Sequence, residues 1–424
     1  MEARRQAERG RRLDRAFNEG AAGLDAQERG FAHELTYGTT RLRGRLDYLL
    51  ARHVHRGLDS LDAAALEVLR LGAYQLLYMG SVPAYAAVSQ SVDQAREDVG
   101  AGVAGLVNAV LRKVDADGDG AERFPSFERE PADFLASWGS HPRWLVDRWL
   151  GRWSADSVRS LIEADNLRPS TCVVPLEMEP TDAVARLAEE GTPAEVVGEG
   201  TRCVRLGPGV SPRDVFTVLP RAIAQDPAAH LVSCYADVPK GTKVADLCAA
   251  PGGKAIAVAD RPSCILAIDR SEARLRMVKE NADRTRRDVG LAVADARRPP
   301  LRAVDVVLLD APCTGTGTLA RRPDARWRLK AGSVTEMAAL QSEMLAAAAD
   351  AVSPGGLLVY STCTLEPEEN EEQVDAFLAM RRDFTIEPTD AVPGQYLDDR
   401  GCLAVRPQDT GFDGAFAARM RRAS

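Results

Sequence analysis

The chain has 424 residues, 45% of them hydrophobic and 27% charged, with a net charge of −8; this excludes a disordered chain and, at roughly 100–200 residues per domain, predicts two to four domains. It has neither a run of about 18 apolar residues nor an apolar segment near its start, which excludes a transmembrane helix and disfavours a secretory signal. Its eight cysteines include no CxxC pair, so we expect a reducing, cytoplasmic protein without a metal site.

Residues 1–120 are predicted to form an all-α domain. Apolar residues recur there at helical spacing: Leu66, Leu69, Ala73, Leu76 and Leu77. The run DADGDG at 115–120 is typical of a helix stop or a linker. The overall negative charge disfavours a nucleic-acid partner, but the first 56 residues contain twelve Arg and only eight Asp or Glu, and the distribution of charge matters more than its total.

Residues 121–224 are predicted to form a helical connector followed by a small α+β module, in which short apolar runs flank one helical stretch. Four of the five tryptophans of the chain fall in the connector: Trp138, Trp144, Trp149 and Trp153. We interpret them as core residues or as part of a seam between domains, in preference to a platform for stacking bases.

Residues 225–424 are predicted to form an α/β domain with a mostly parallel sheet. Near-continuous apolar runs alternate with helix-like segments: KVADLC, CILAID, LAVAD, VDVVLLD and GLLVYSTC. Sheets of this type bind ligands outside the carboxyl ends of their strands. We therefore expect the chemistry of the chain at that edge.

A cofactor loop is predicted in KVADLCAAPGGKA at 243–255, where Gly252 and Gly253 let a ligand approach the backbone. Carboxylates end the next three predicted strands, at Asp269, Asp295 and Asp310. One such residue could be a helix cap, but three together favour a nucleoside-containing cofactor whose ribose hydroxyls donate hydrogen bonds to an acid. The chain lacks a GxxxxGK[ST] loop, which argues against ATP or GTP.

Cys313 and Cys363 each lie just past a predicted strand, on adjacent loops beside this cofactor site. A thiolate, a carboxylate and a nucleoside cofactor together suit methylation of a pyrimidine at carbon 5: the thiolate adds to carbon 6, an acid assists at N3, and a base then removes the carbon 5 proton. Cys248 lies in the cofactor loop and is interpreted as a packing residue there. The other cysteines are expected to be inert: Cys172, Cys203, Cys234, Cys264 and Cys402.

Three segments, DLCAAPGGK, DAPCTGTGTLARRPDARWR and STCTLEPEENE, resemble the motifs of RNA 5-methylcytosine methyltransferases. The helical start, including RGFAHELTYGTTRLRGRLDYLL and LVNAVLRK, looks like a NusB-type RNA-binding domain. Together they resemble the RsmB/Sun family of 16S ribosomal RNA cytosine-5 methyltransferases over nearly the whole chain. The resemblance implies an all-α NusB-like domain at 1–120, a connector and small α+β module at 121–224, and a Rossmann-like methyltransferase domain at 225–424.

The same resemblance implies roles for individual residues. Cys363 matches the nucleophile, Cys313 the cysteine that helps to release the product, and Asp310 the acid that contacts the target base near the methyl group of the cofactor. The implied cofactor is S-adenosyl-L-methionine, and the residues that match its site are Cys248, Ala249, Ala250, Pro251, Gly252, Gly253, Lys254, Asp269, Asp295 and Asp310. The target base must leave its stack, because carbon 6 is shielded within it.

The chain departs from the family pattern in places that the proposed chemistry does not use. Arginine-rich sequence follows Met1, where the family has an extra apolar helix; Thr314 replaces a common Ser; Ala255 replaces a frequent Thr; and GFDGAFAARM is a looser form of a DGFF-type ending.

The implied partner is 16S ribosomal RNA, bound by a monomer without membrane or metal. RNA contacts are expected from the arginine-rich start and from four arginines near the site: Arg321, Arg322, Arg326 and Arg328. Two alternatives stay open at this point, namely a cytosine-5 methyltransferase of tRNA or another RNA, and a non-catalytic NusB-like RNA-binding factor.

Overall fold

The computed structural model describes Met1–Glu8 and Gly10–Ser424, so Arg9 of the arginine-rich start lies outside the described residues. Within them, the first 167 positions form ten α-helices, which confirms the predicted helical start. The helices are α1 (Glu2–Glu8), α2 (Leu13–Gly20), α3 (Ala26–Arg41), α4 (Arg43–Ala51), α5 (Ala63–Tyr78), α6 (Ala84–Asp98), α7 (Ala101–Asp117), α8 (Pro131–Ser137), α9 (Arg143–Leu150) and α10 (Ala155–Asn166).

The core of this helical part forms around α5. Leu69 and Ala73 of that helix are fully buried, and each buried leucine contributes roughly 1.5–3 kcal/mol. The start of α3 is fixed by a capping box, in which the Asp25 side chain accepts from the Glu28 N–H at 2.8 Å and Glu28 bonds back to the Asp25 N–H. The helix α7 ends at Asp117, inside the run predicted to stop it, and Gly118 follows with φ 68°.

The rest of the chain alternates strands and helices. Its strands are β1 (Cys172–Pro175), β2 (Ala194–Val197), β3 (Cys203–Leu206), β4 (Ala222–Ala224), β5 (Lys243–Asp246), β6 (Cys264–Asp269), β7 (Gly290–Val293), β8 (Val304–Asp310), β9 (Val352–Thr362), β10 (Phe384–Ile386), β11 (Leu403–Val405) and β12 (Ala415–Arg422). Its helices are α11 (Pro180–Glu189), α12 (Pro212–Val218), α13 (Pro227–Tyr235), α14 (Gly253–Val258), α15 (Glu272–Thr285), α16 (Ala325–Arg328), α17 (Ala331–Ala351), α18 (Glu371–Met380) and α19 (Pro407–Thr410).

Two sheets organise these elements. The smaller is antiparallel, in the order β2-β3-β1-β4. The larger has the order β10-β12-β9-β8-β5-β6-β7, with β11 paired to β12; β5 to β9 are parallel neighbours and β10 to β12 run antiparallel. The five apolar runs are strands β5 to β9, so the predicted mostly parallel α/β sheet is confirmed. Strand order reverses between β5 and β8, where such sheets bind ligands.

The chain divides into two compact units whose boundaries do not follow its order. Met1–Leu167 and Leu319–Lys330 make up the helical unit, and Arg168–Thr318 with Ala331–Ser424 make up the sheet unit. The helices α8 to α10 thus belong to the helical unit. The segment Leu319–Lys330, which carries α16 and is called the excursion below, belongs to it as well. The three-part division at residues 120 and 224 stays a prediction.

Arg326 anchors this excursion within the helical unit. Its side chain is fully buried, and its guanidinium donates to the Asn166 side chain at 2.8 Å. It also donates to backbone carbonyls of four residues: Arg41, Ser140, Asp165 and Leu319. Burial lowers the pKa of Arg326 to about 10. The expectation that Arg326 contacts RNA is therefore wrong, because every part of its side chain is enclosed.

The arginine-rich start is also partly buried. Arg4 is 3% exposed and pairs with the buried Glu67, and it donates to Thr40 Oγ1 at 2.6 Å. Arg4 therefore stabilises the fold, which leaves the more exposed arginines of this stretch as candidates for RNA contact. Arg11 and Arg12 are 40% and 45% exposed.

None of the helices in Met1–Glu8 and Gly10–Ser424 combines the length and the apolar character needed to cross a bilayer.

Replacement of Arg326 by Met is expected to lower the free energy of unfolding by about 3 kcal/mol. The substitution keeps the volume but leaves several desolvated acceptors without their donor, and each buried group left unsatisfied costs roughly 1–3 kcal/mol. Urea unfolding followed by circular dichroism measures the change. Arg96→Met is the control, since Arg96 is 55% exposed in a surface pair with Asp93 and should cost less than about 1 kcal/mol. Equal losses in the two variants would contradict the anchoring role.

Candidate active site

The carboxyl ends of β5, β8 and β9 bring the predicted site residues to one edge of the sheet. Asp310 ends β8 and lies beside Ser361 of β9 in the parallel register, and Cys363 follows the last residue of β9. The strand β5, which ends at Asp246, pairs with β8 on its other side. This is the location that the sequence predicted for the chemistry of the chain.

The loop after β5 is shaped by Gly252, which precedes α14. Gly252 has φ 105°, a left-handed conformation that L side chains rarely adopt. A Cβ atom there would lie 3.1 Å from side-chain atoms of Ile256 and Val278. The predicted loop glycine therefore has a local structural reason of its own, in addition to any ligand.

Neighbouring elements hold the rest of this loop in place. The Ala249 N–H donates to the Ile268 carbonyl of β6 at 3.0 Å, and the Asn281 side chain of α15 donates to the Pro251 carbonyl at 3.2 Å. The loop is thus fixed on both sides before any ligand binds.

Asp246 is a site residue that the sequence analysis missed. It is 1% exposed; its Oδ1 accepts from the Cys248 N–H at 3.3 Å, while its Oδ2 has no hydrogen-bond partner among the described residues. Burial, with a further contribution from the charge of Asp310, raises the pKa of Asp246 to about 7. A buried acceptor without a donor is an arrangement that a ligand donor would complete.

The other two strand-end acids differ from each other. Asp269, at the end of β6, is 3% exposed and accepts from the Ser271 N–H at 2.9 Å and from Arg274 at 3.1 Å. Asp295 lies two residues past β7 and is 42% exposed; its carboxylate accepts from the Arg297 N–H at 2.9 Å and from its guanidinium at 2.7 Å. Hydrogen bonds from Arg297 lower the pKa of Asp295 to about 2. The cofactor roles of both residues stay predictions.

Asp310 is held by a lysine from the cofactor loop and by a serine from β9. Lys254 Nζ lies 2.7 Å from Asp310 Oδ2, and Ser361 Oγ donates to Asp310 Oδ1 at 2.9 Å. Burial lowers the pKa of Lys254, but the charge and the hydrogen bond of Asp310 outweigh it, so that the pKa is raised. A negative charge on Cys363 also raises it, which places the ammonium within electrostatic reach of that sulfur.

The two predicted cysteines meet. The Sγ atoms of Cys313 and Cys363 are 3.4 Å apart, and the Cys363 N–H points at Cys313 Sγ, also at 3.4 Å. Both residues are thiols rather than halves of a disulfide, and both are half-buried. The hydrogen bond with Cys363 and burial raise the pKa of Cys313 well above its usual value, so Cys313 is protonated at neutral pH.

A buried polar network beneath the two cysteine loops also escaped the sequence analysis. Glu369 is fully buried and accepts from the Thr314 N–H at 2.9 Å, from the Thr364 hydroxyl at 3.0 Å and from the Gln341 side chain at 2.9 Å. The Thr314 hydroxyl, where the family commonly has Ser, also donates to Glu369. The network therefore ties the loop after β8 to the loop after β9.

A close approach of two glycines fixes the far end of the Cys313 loop. The Gly317 N–H donates to the Cys363 carbonyl at 3.1 Å, and the Gly414 N–H donates to the Gly317 carbonyl at 2.6 Å. A Cβ atom on Gly317 would lie 2.7 Å from Gly414 Cα. The glycine in the ending GFDGAFAARM thus lets the C-terminal segment reach this loop.

The other six cysteines differ from one another in burial. Cys172, Cys203 and Cys402 are buried, Cys234 and Cys248 are half-buried, and Cys264 is exposed. Their inertness stays a prediction. Within the described ranges, no group of three or more His, Cys, Asp or Glu residues has a geometry that would hold a metal ion.

Comparison with known families assigns each part of the chain. Residues 1–116 match the NusB family, residues 141–211 match the ferredoxin-like domain of RsmF/B-like methyltransferases, and residues 236–421 match the family described as 16S rRNA methyltransferase RsmB/F. The sheet and the site thus belong to a methyltransferase that carries a NusB domain.

Individual relatives extend these matches over nearly the whole chain. The probable ribosomal RNA small subunit methyltransferase B of Bacillus subtilis is 30% identical over 94% of this chain and 92% of that protein. The ribosomal RNA small subunit methyltransferase B of Pseudomonas putida is 33% identical over 94% and 91%. The crystal structure of PH0851 superposes with a TM-score of 0.78 and 26% identity, over 97% of this chain and 94% of that one. The chain belongs to the RsmB/F family of 16S rRNA methyltransferases, as the resemblance predicted.

Replacement of Asp246 by Asn is expected to stabilise the ligand-free protein by about 2 kcal/mol near pH 8, since a desolvated group without a partner costs roughly 1–3 kcal/mol. The folded-state pKa of about 7 lies above the ordinary value, so the ionised form opposes folding. The cost is complete above the folded pKa and disappears as pH falls towards the unfolded pKa. The gain should therefore shrink steadily between about pH 7 and pH 4.

Urea unfolding at several pH values measures this gain. Asp283→Asn is the matched control, because Asp283 is 64% exposed in a surface pair with Lys279. A gain at Asp246 that did not vary with pH would contradict the burial cost.

Proposed function

We propose that this protein transfers a methyl group from S-adenosyl-L-methionine to carbon 5 of a cytosine in 16S ribosomal RNA, through a covalent bond between Cys363 Sγ and carbon 6 of the base. The observation that carries the proposal is the pair of thiols whose sulfur atoms are 3.4 Å apart, on two loops beside the Lys254–Asp310 pair. Membership of the RsmB/F family and the names of the relatives support the ribosomal substrate and, with it, a cytoplasmic location of the reaction.

The loop after β5 fits the proposed cofactor. Asp246 Oδ2 is a buried acceptor without a donor among the described residues, as a site for an ammonium or hydroxyl group requires. Asp269, almost fully buried at the end of β6, has the position of an acid that holds a ribose diol. When bound, S-adenosyl-L-methionine supplies an electrophilic methyl group.

Cys363 is proposed as the nucleophile because of what surrounds its sulfur. The ammonium of Lys254 lies within electrostatic reach, and a nearby cation favours the thiolate, which is the form that attacks. Addition of the thiolate to carbon 6 makes carbon 5 nucleophilic, which splits one difficult step into two easier ones.

Asp310 is proposed to contact N3 of the base. Its carboxylate is oriented by Lys254 at 2.7 Å and by the Ser361 hydroxyl at 2.9 Å. N3 takes a proton from water as the thiolate adds to carbon 6, and a carboxylate held in this way accepts a hydrogen bond from that N–H and so stabilises the adduct.

Cys313 is proposed to take the carbon 5 proton after methylation. In the ligand-free protein, the hydrogen bond with Cys363 is the largest cause of its raised pKa. That hydrogen bond and the charge of Cys363 disappear once the Cys363 sulfur is bonded to carbon. Burial and the charge of Glu369 still raise the pKa of Cys313 in the adduct. Loss of the largest cause nevertheless lowers that pKa, so the thiolate that takes the carbon 5 proton forms more readily than in the ligand-free protein.

Replacement of Cys363 by Ala is expected to abolish methylation, because no other group described here supplies the sulfur that adds to carbon 6. An unmodified 16S rRNA transcript is incubated with labelled S-adenosyl-L-methionine, and 5-methylcytidine is measured by mass spectrometry after digestion. Cys264→Ala, which removes an exposed cysteine at the start of β6, is the matched control. Normal product formation by Cys363→Ala would overturn the proposal. Preferential methylation of tRNA by the wild-type protein would change the proposed substrate from 16S rRNA to tRNA.

Replacement of Cys313 by Ala is expected to leave the covalent adduct intact, since the group that removes the carbon 5 proton is lost. The variant should accumulate a protein–RNA complex that survives denaturing electrophoresis, with turnover reduced at least about tenfold. Wild-type turnover without such a complex would remove the release role from Cys313 and leave the role of Cys363 unchanged.

A further inference from the structure

The helical unit contains a pocket of about 400 Å³, within the range of sites that hold small ligands. Its lining comes from the N-terminal helices and from the excursion Leu319–Lys330: Arg4, Ala7, Gly10, Thr40, Arg43, Asp324, Trp327, Arg328 and Lys330. The catalytic chemistry proposed above uses none of these residues.

The pocket lining is cationic. Four of its side chains carry a positive charge and one, Asp324, carries a negative charge. Some of this positive charge is neutralised within the fold, since Arg4 pairs with the buried Glu67, Arg328 pairs with Asp324 at 2.9 Å, and Arg43 lies 3.6 Å from Asp47. Arg43 and Arg328 nevertheless remain 28% and 31% exposed, so an anion can reach both of them.

Trp327 gives the pocket an aromatic wall. Its indole N–H donates to the Thr40 carbonyl at 2.8 Å, which fixes the ring, and the guanidinium of Arg43 lies 5.2 Å from the ring centroid. Cationic side chains beside a fixed aromatic ring are the two elements by which proteins hold single-stranded nucleic acid, through phosphates and through bases.

The anchor of the excursion makes this lining rigid. Arg326 is fully buried among carbonyls of the helical unit, and Trp327 and Arg328 follow it directly. One residue thus fixes the segment, and the next residues present their side chains to the pocket. Preformed pockets of this kind bind with a smaller loss of conformational entropy.

We propose that this pocket is a binding subsite for one nucleotide of the substrate RNA strand, with a phosphate held by Arg43, Arg328 and Lys330 and the base packed against Trp327. The proposal rests on the function proposed above, since it assumes an RNA substrate. It adds a site on the helical unit that recognises the strand without taking part in methyl transfer.

The test uses the full-length double variant Arg43→Gln/Lys330→Gln. The KM for 16S rRNA should rise about tenfold with kcat unchanged, because two of the three cations that hold the phosphate are lost. Affinity for a fluorescein-labelled oligocytidylate should fall similarly. Each contacted phosphate contributes about −0.7 to the salt dependence of single-strand binding, and the subsite holds one phosphate, so the slope should weaken by up to about 0.7.

The matched control is Arg96→Gln/Lys113→Gln, which removes the same charge from exposed positions on α6 and α7 that do not line the pocket. Thermal unfolding checks that both double variants fold, and the single variant Lys330→Gln replaces the pocket variant if it does not. Affinities and salt slopes that match the control would overturn the subsite.

A second measurement addresses the aromatic wall. The oligocytidylate should quench tryptophan fluorescence in the wild type and clearly less in Trp327→Phe; equal quenching would overturn base packing at this position. Different results would contradict the nucleotide subsite and the proposed methylation reaction. Normal 5-methylcytidine formation with an unchanged KM in the pocket variant would reject only the subsite, whereas pocket-dependent RNA binding without any methylated cytosine would reject only the proposed reaction.

Discussion

The approach of two strand-end loops is the constraint on which the proposed chemistry depends. Two sulfur atoms can share one substrate only if the loops after β8 and β9 are held together, and parallel neighbouring strands alone do not ensure that. Glu369 supplies one such link, since it is buried between the loops and accepts hydrogen bonds from Thr314, Thr364 and Gln341. Removal of such a buried carboxylate would leave several donors unpaired at once, so the geometry of the thiols depends on a residue that touches neither of them.

The same edge of the sheet concentrates charge that the ligand-free fold only partly balances. Lys254 neutralises Asp310 directly, whereas Asp246 is buried with one oxygen lacking a partner among the described residues. A free-energy cost of this kind is common at binding sites. Polar groups that are positioned to contact a ligand lack hydrogen-bond partners while the site is empty. The two thiols are similar in this respect, because the hydrogen bond with Cys363 that raises the pKa of Cys313 exists only while the Cys363 sulfur is unreacted.

The sequence predicted those features that follow from the topology of a parallel sheet, and it missed those that depend on distant segments. Cys313, Cys363 and Asp310 were found because carboxyl ends of adjacent strands share one edge. Glu369 lies in the acidic run EPEENE, which by itself is typical of a solvated surface. Arg326 was misassigned for a related reason: charged side chains are rarely enclosed, and one of the carbonyls that accept from it is 285 positions away along the chain.

The excursion Leu319–Lys330 also determines when the helical unit can become complete. Leu167 leaves the ribosome long before Lys330, and at about 5–20 residues per second the interval between them is roughly 10–30 s. During that time the carbonyls that later surround Arg326 must remain hydrated or find temporary donors. The nascent helices are therefore synthesised before the segment that carries Arg326, and completion of the helical unit depends on residues that the second half of the gene encodes.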